Sequence, residues 1–131
     1  MPQTEPARFL NLDLVLKSKS DLSTIIEYFE KKAHVLTHQE HDGEWTLVLE
    51  TAEEGSKDPS QYTERFLADI SQFPDAVRDV WDACTSRTFS YGFDGGYNSA
   101  ALEATISADL LLQIARLGAD IGITLYPFRQ P

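Results

Sequence analysis

Hydrophobic and polar residues alternate with a period of two near both ends of the chain, and each alternating stretch runs on into a helical pattern. Leu10, Leu12, Leu14 and Leu16 share one side of an extended segment spanning Phe9 to Lys17. Ser20 or Asp21 can then accept hydrogen bonds from the first free amides of a helix. In that helix Leu22, Ile25, Ile26, Phe29 and Ala33 keep helical spacing, and Lys31 and Lys32 fall in the last turn, where the dipole favours positive charge. Near the other end, Leu102, Ala104 and Ile106 alternate with Glu103 and Thr105 and predict a strand. Ser107-Ala108-Asp109 opens a helix running from about Ala108 to Leu117, Gly118 supplies a left-handed stop, and Ile121, Ile123 and Leu125 mark a last strand before Pro127. Both ends read strand, polar cap, helix, strand.

Between them, Asp42-Gly43 separates two extended runs. This dipeptide supplies the positive φ angles of a type I′ turn and predicts a two-residue hairpin. The register pairs His41 with Glu44, Glu40 with Trp45, His38 with Leu47 and Leu36 with Leu49. A polar loop holding Glu53 and Glu54 follows. Asp58-Pro59, with Gln61 three positions on, then caps a helix whose stripe is Tyr62, Phe66, Ile70 and Phe73. Pro74 predicts a break or kink there, and Val77, Val80, Trp81 and Cys84 continue as a second stripe. Phe89, Tyr91 and Phe93 alternate along a strand from Arg87 to Phe93, which Asp94-Gly95-Gly96 ends in a turn.

The expected order is βαββαββαβ, a ferredoxin-like βαββαβ followed by a further βαβ unit. It predicts an α+β fold with a mixed six-stranded sheet and helices on one face. Residues 1–7, with Pro2 and Pro6 and no periodicity, are expected to form a loose arm on a single domain spanning 1–131.

Composition changes this picture in one respect. The 131 residues carry 21 acidic and 11 basic side chains, a net charge of −10. Such a field repels nucleic-acid phosphates and anionic membranes and attracts cationic partners. It argues against RNA binding by the Phe89-Tyr91-Phe93 strand, whose aromatic alternation otherwise suits an RNA platform. No apolar run reaches the roughly 20 residues of a membrane span, and no secretory signal is evident at the N-terminus. The lone Cys84 excludes an intrachain disulfide and fits a reducing, cytoplasmic location.

Residues able to carry chemistry are few. His34, His38 and His41 lie too far apart on a regular strand to converge on a metal: His34 and His38 share a face about 13 Å apart, while His41 points to the other. No metal and no cofactor is expected. Cys84 sits on an apolar stripe and reads as a buried hydrophobe. The glycines of the Asp94 loop lead into a strand, not the helix a phosphate loop needs. Acid pairs such as Glu53-Glu54 and Asp79 with Asp82 are common by chance in so acidic a chain.

The closing pattern of Leu110 to Leu112, Ile114-Ala115-Arg116-Leu117-Gly118-Ala119 and Ile121 to Tyr126 resembles the end of a family of uncharacterised small bacterial proteins, over about the last quarter of the chain. Size and acidity are similar to those of bacterial immunity proteins, which neutralise cognate toxins. That similarity, with the net charge, favours a non-enzymatic protein-binding module facing a basic partner; the acidic residues on exposed loops and helix faces, including Asp42, Glu44, Glu53, Glu54 and Asp94, are the candidate contacts. The alternative is a small-ligand binder or enzyme with a pocket near Arg87, Tyr91 and Tyr97. A homodimer through the uncovered sheet face is the third reading.

Overall fold

The computed structural model describes residues 6–52, 58–96 and 100–127. Within them run β1 (Arg8–Ser18), α1 (Ser23–Phe29), β2 (Ala33–His41), β3 (Glu44–Thr51), α2 (Pro59–Ser71), α3 (Asp75–Asp82), β4 (Ser86–Asp94), α4 (Ala108–Arg116) and β5 (Asp120–Tyr126). The strands form one sheet in the order β2-β3-β1-β4-β5. β1 lies at its centre, antiparallel to β3 and β4. β2 is antiparallel to β3, and β5 alone runs parallel to its neighbour, β4. The fold is α+β with a mixed sheet.

The expected sixth strand and the expected order are both corrected. Among the described residues the sheet has five strands, in the element order βαββααβαβ. Leu102–Ile106 alternates but joins no ladder, because β4 already has β1 on one side and β5 on the other. Instead the segment passes the start of α2, where the Ser60 hydroxyl donates to the Thr105 carbonyl at 3.3 Å.

Local signals explain most boundaries. Asp21 Oδ1 accepts the Ser23 amide at 2.6 Å as α1 begins. Asp58 Oδ1 accepts the Ser60 amide at 2.8 Å, with Pro59 opening α2. The predicted break occurs at Phe73-Pro74: α2 ends at Ser71, and Pro74 stands at the N-cap of the separate α3. Ser107 Oγ accepts the Leu110 amide at 3.2 Å to cap α4, and Gly118 turns the chain out of it with φ of 71°. α1 is a turn shorter than its apolar stripe. Lys31 and Lys32 follow it, and Ala33 already pairs with Thr51.

Asp42 and Gly43 take φ of 52° and 81°, and the hairpin pairs His41 with Glu44, Glu40 with Trp45 and His38 with Leu47 as expected. Beyond Thr37 the register shifts by one, so that Val35, not Leu36, faces Leu49. A similar bulge at Leu10 places Phe9 opposite Phe93 and removes Leu10 from the row of Leu12, Leu14 and Leu16. In each case the extra residue reverses which side chains point inward.

One sheet face and the inner faces of all four helices form a single core. Leu12, Leu14, Leu16, Leu47, Leu49, Phe89 and Tyr91 meet Ile25 and Phe29 of α1, Phe66 and Ile70 of α2, Trp81 of α3, and Leu110 and Ile114 of α4. Phe29, Phe66 and Phe73 stack edge-on within it. The reverse face of the central strands is half-buried, with Asn11, Asp13, Val15 and Lys17 on β1 and Thr46, Val48 and Glu50 on β3.

Candidate functional site

The hairpin tip holds two of the five acidic residues expected to meet a partner, Asp42 and Glu44, and adds Glu40. Glu40, His41, Asp42 and Glu44 are all exposed, the His41 and Asp42 side chains at 87% and 89%, and these two stand 3.3 Å apart. Behind the tip His38 stacks on Trp45 with ring centres 4.9 Å apart. Asp94 lies near the other end of the sheet. Its carboxylate accepts the Gly96 amide at 3.0 Å and stands 3.9 Å from the Arg8 guanidinium. Glu53, Glu54 and Tyr97 lie outside the described residues.

The bulge at Leu36 also separates the histidines differently from the expectation. His38 faces Leu47 on the helix side, whereas His34 faces Glu50 on the reverse face, so these two do not share a face. Among the described residues no group of three or more His, Cys, Asp or Glu side chains is placed to hold a metal ion.

Arg87 and Tyr91 both serve the core. Arg87 Nη1 donates to the carbonyls of Trp81 and Cys84 at 2.8 and 3.1 Å, and Nε donates to that of Gly118 at 3.1 Å. The Trp81 indole donates to the Leu117 carbonyl at 3.1 Å. Together they hold carbonyls at the ends of α3 and α4, that of Trp81 being shared with the Cys84 amide. The Tyr91 hydroxyl lies 2.6 Å from that of Thr63, which donates to the Pro59 carbonyl, so Tyr91 donates to Thr63. Burial pushes the Tyr91 hydroxyl pKa up. Burial also raises the Cys84 thiol, which lies 3.5 Å from the Val80 carbonyl. Neither is poised as a nucleophile.

Two features escaped the sequence reading. On the reverse sheet face Asp13 pairs across strands with Glu50, and Asn11 Nδ2 donates to both, at 3.3 Å to Asp13 Oδ1 and 2.9 Å to Glu50 Oε2. Burial first, then the charge of Glu50 and a hydrogen bond to it, pushes Asp13 up to about 6. Gly92 makes room for this arrangement, because a Cβ there would strike Asn11 Oδ1. The pair can share a proton, but it lies on a sheet surface.

The second feature is β5. Ile121, Ile123 and Leu125 stand on the helix side beside Phe89, Tyr91 and Phe93, yet they are 39%, 72% and 65% exposed. Ile123 and Leu125, with Phe93 and Leu102, border an open apolar groove of about 450 Å³. The signal was present in the chain, since an alternating apolar strand on a sheet edge need not be covered. What it lacked was the strand order.

Comparison with known protein families, curated proteins and solved structures finds no match to this chain. The candidate sites therefore rest on their own chemistry. No helix among the described residues is long and apolar enough to cross a membrane.

Proposed function

We propose that the chain is a non-enzymatic protein-binding module, an immunity-type inhibitor that holds a basic protein toxin against the acidic β2–β3 hairpin. The observation that carries this reading is the hairpin tip, where Glu40, Asp42 and Glu44 crowd a fully exposed turn on a chain of net charge −10. The long-range field steers a cationic partner, and the stacked His38-Trp45 pair offers a flat aromatic surface behind the charges. A small-ligand site around Arg87 and Tyr91 is less favoured, because both polar groups are spent on internal carbonyl and hydroxyl partners. The buried lone thiol suits a reducing cytoplasm.

Capture of the partner from the native host, followed by association kinetics at low and high salt, tests the reading. The on-rate is expected to fall by about tenfold or more as salt rises, with a smaller change in off-rate. Glu40→Lys with Glu44→Lys should slow association further and leave the fold intact, since both side chains are exposed. An acidic partner, or an on-rate indifferent to salt, would overturn it.

A further inference from the structure

The two edges of the sheet are built differently. The β2 edge is interrupted by the bulge at Leu36 and carries His34, Glu40 and His41, devices that discourage strand pairing. β5 has none of them: its seven residues pair with β4 without a register shift, and they include no lysine, no proline and one charge, Asp120. The Gly95 amide donates to the Tyr126 carbonyl at 2.8 Å. That sets the parity of the strand: Gly122, Thr124 and Tyr126 direct their backbone groups toward β4, and Ile121, Ile123 and Leu125 direct theirs outward. The three residues with exposed apolar side chains are thus also the three whose backbone groups have no partner among the described residues.

We infer that β5 pairs antiparallel with β5 of a second copy of this chain, about a two-fold axis at Ile123, to form a continuous ten-stranded sheet. Full overlap of the seven residues places Ile123 opposite its own counterpart and Ile121 opposite Leu125 of the second copy. Every residue facing the helix side of the seam is therefore apolar. On the reverse side Gly122 meets Thr124 and Asp120 meets Tyr126, so no like charges face each other although each chain carries −10. Isologous contacts of this kind close on themselves and leave no further edge of the same type. The exposed parts of Leu102, Ile121, Ile123, Leu125 and Tyr126 amount to about 500 Å² per copy. Complete coverage of that surface in both copies buries at most about 1,000 Å², the threshold for a specific interface, before the paired backbone is counted. The acidic hairpins lie at the opposite edge, so the dimer leaves both free.

Sedimentation of the whole chain across micromolar concentrations, with amide hydrogen exchange on the same samples, tests the pairing. The expected result is a concentration-dependent dimer in which the Ile121, Ile123 and Leu125 amides become protected as it forms. Ile123→Lys sets two ammonium groups together at the axis and should weaken dimerisation at least tenfold; the side chain is mostly exposed, so an unchanged circular-dichroism melt is expected. Added salt should strengthen the dimer by screening repulsion between two anions, opposite to its effect on a basic partner. A chain that stays monomeric at about 100 μM would overturn the inference. So would a dimer that survives Ile123→Lys, or one whose formation leaves those three amides exchanging freely. If Ile123→Lys fails to fold, the exchange pattern of the unaltered chain decides alone.

Discussion

Replacing Asp13 with Asn should stabilise the protein at neutral pH and do little in acid. Folding moves the Asp13 carboxyl beside Glu50 and partly out of water, raising its pKa from 3.8 to about 6. The folded chain therefore binds its proton more tightly than the unfolded chain does. Below the unfolded pKa the group is protonated in both states and its contribution is fully present. As pH rises through about 6 the folded state must give up that proton beside a second carboxylate, and the contribution is lost. The full shift corresponds to about 3 kcal/mol, and screening by water at this partly open site reduces it to about 1–2 kcal/mol. Asn keeps the shape, carries no charge and can donate to Glu50. Urea unfolding of both proteins at several values from about pH 4 to 8 gives the difference directly, because the remaining titrations cancel. The expected gain appears between the two pKa values and levels off above about pH 7. A variant less stable than the parent at pH 8, or a difference that does not change with pH, would refute the reasoning.

Arg87→Ala should cost about 2–4 kcal/mol in urea unfolding, because the Cys84 and Gly118 carbonyls lose their side-chain donor and the Trp81 carbonyl keeps only the Cys84 amide. Arg87→Lys should recover less than half of that, since an ammonium group cannot span the three acceptors; a loss below about 1 kcal/mol for the alanine variant would show the clamp to be idle. Cys84 should react with a maleimide at least about tenfold more slowly in the folded chain than in urea, as its burial and raised pKa require. Equal rates would contradict that placement.

The parts of the fold legible in the sequence are those set by local chemistry. Asp42-Gly43 must turn because its backbone needs positive φ, and Pro74 must interrupt a helix because its ring displaces the preceding turn. Parity was less legible. Leu10 and Leu36 look like members of regular alternating rows, and only the partner strands reveal them as bulges. Leu102–Ile106 has the period of a strand but no free neighbour to pair with. The acidic hairpin tip could be read directly. The Asp13-Glu50 pair could not, because the two residues meet only through the β1–β3 register. Nor could the exposure of β5: an apolar alternation states that a face dislikes water, not whether the same chain covers it.

The central position of β1 has a consequence for biosynthesis. It leaves the ribosome before both strands that flank it, β3, which begins at Glu44, and β4, which begins at Ser86. At about 5–20 residues per second, the strand holding Phe9, Leu12, Leu14 and Leu16 has no partner on its β4 side for on the order of 4–15 s after it is made. During that interval a strand carrying four core side chains has an open flank, which proteins that shield nascent apolar segments can cover.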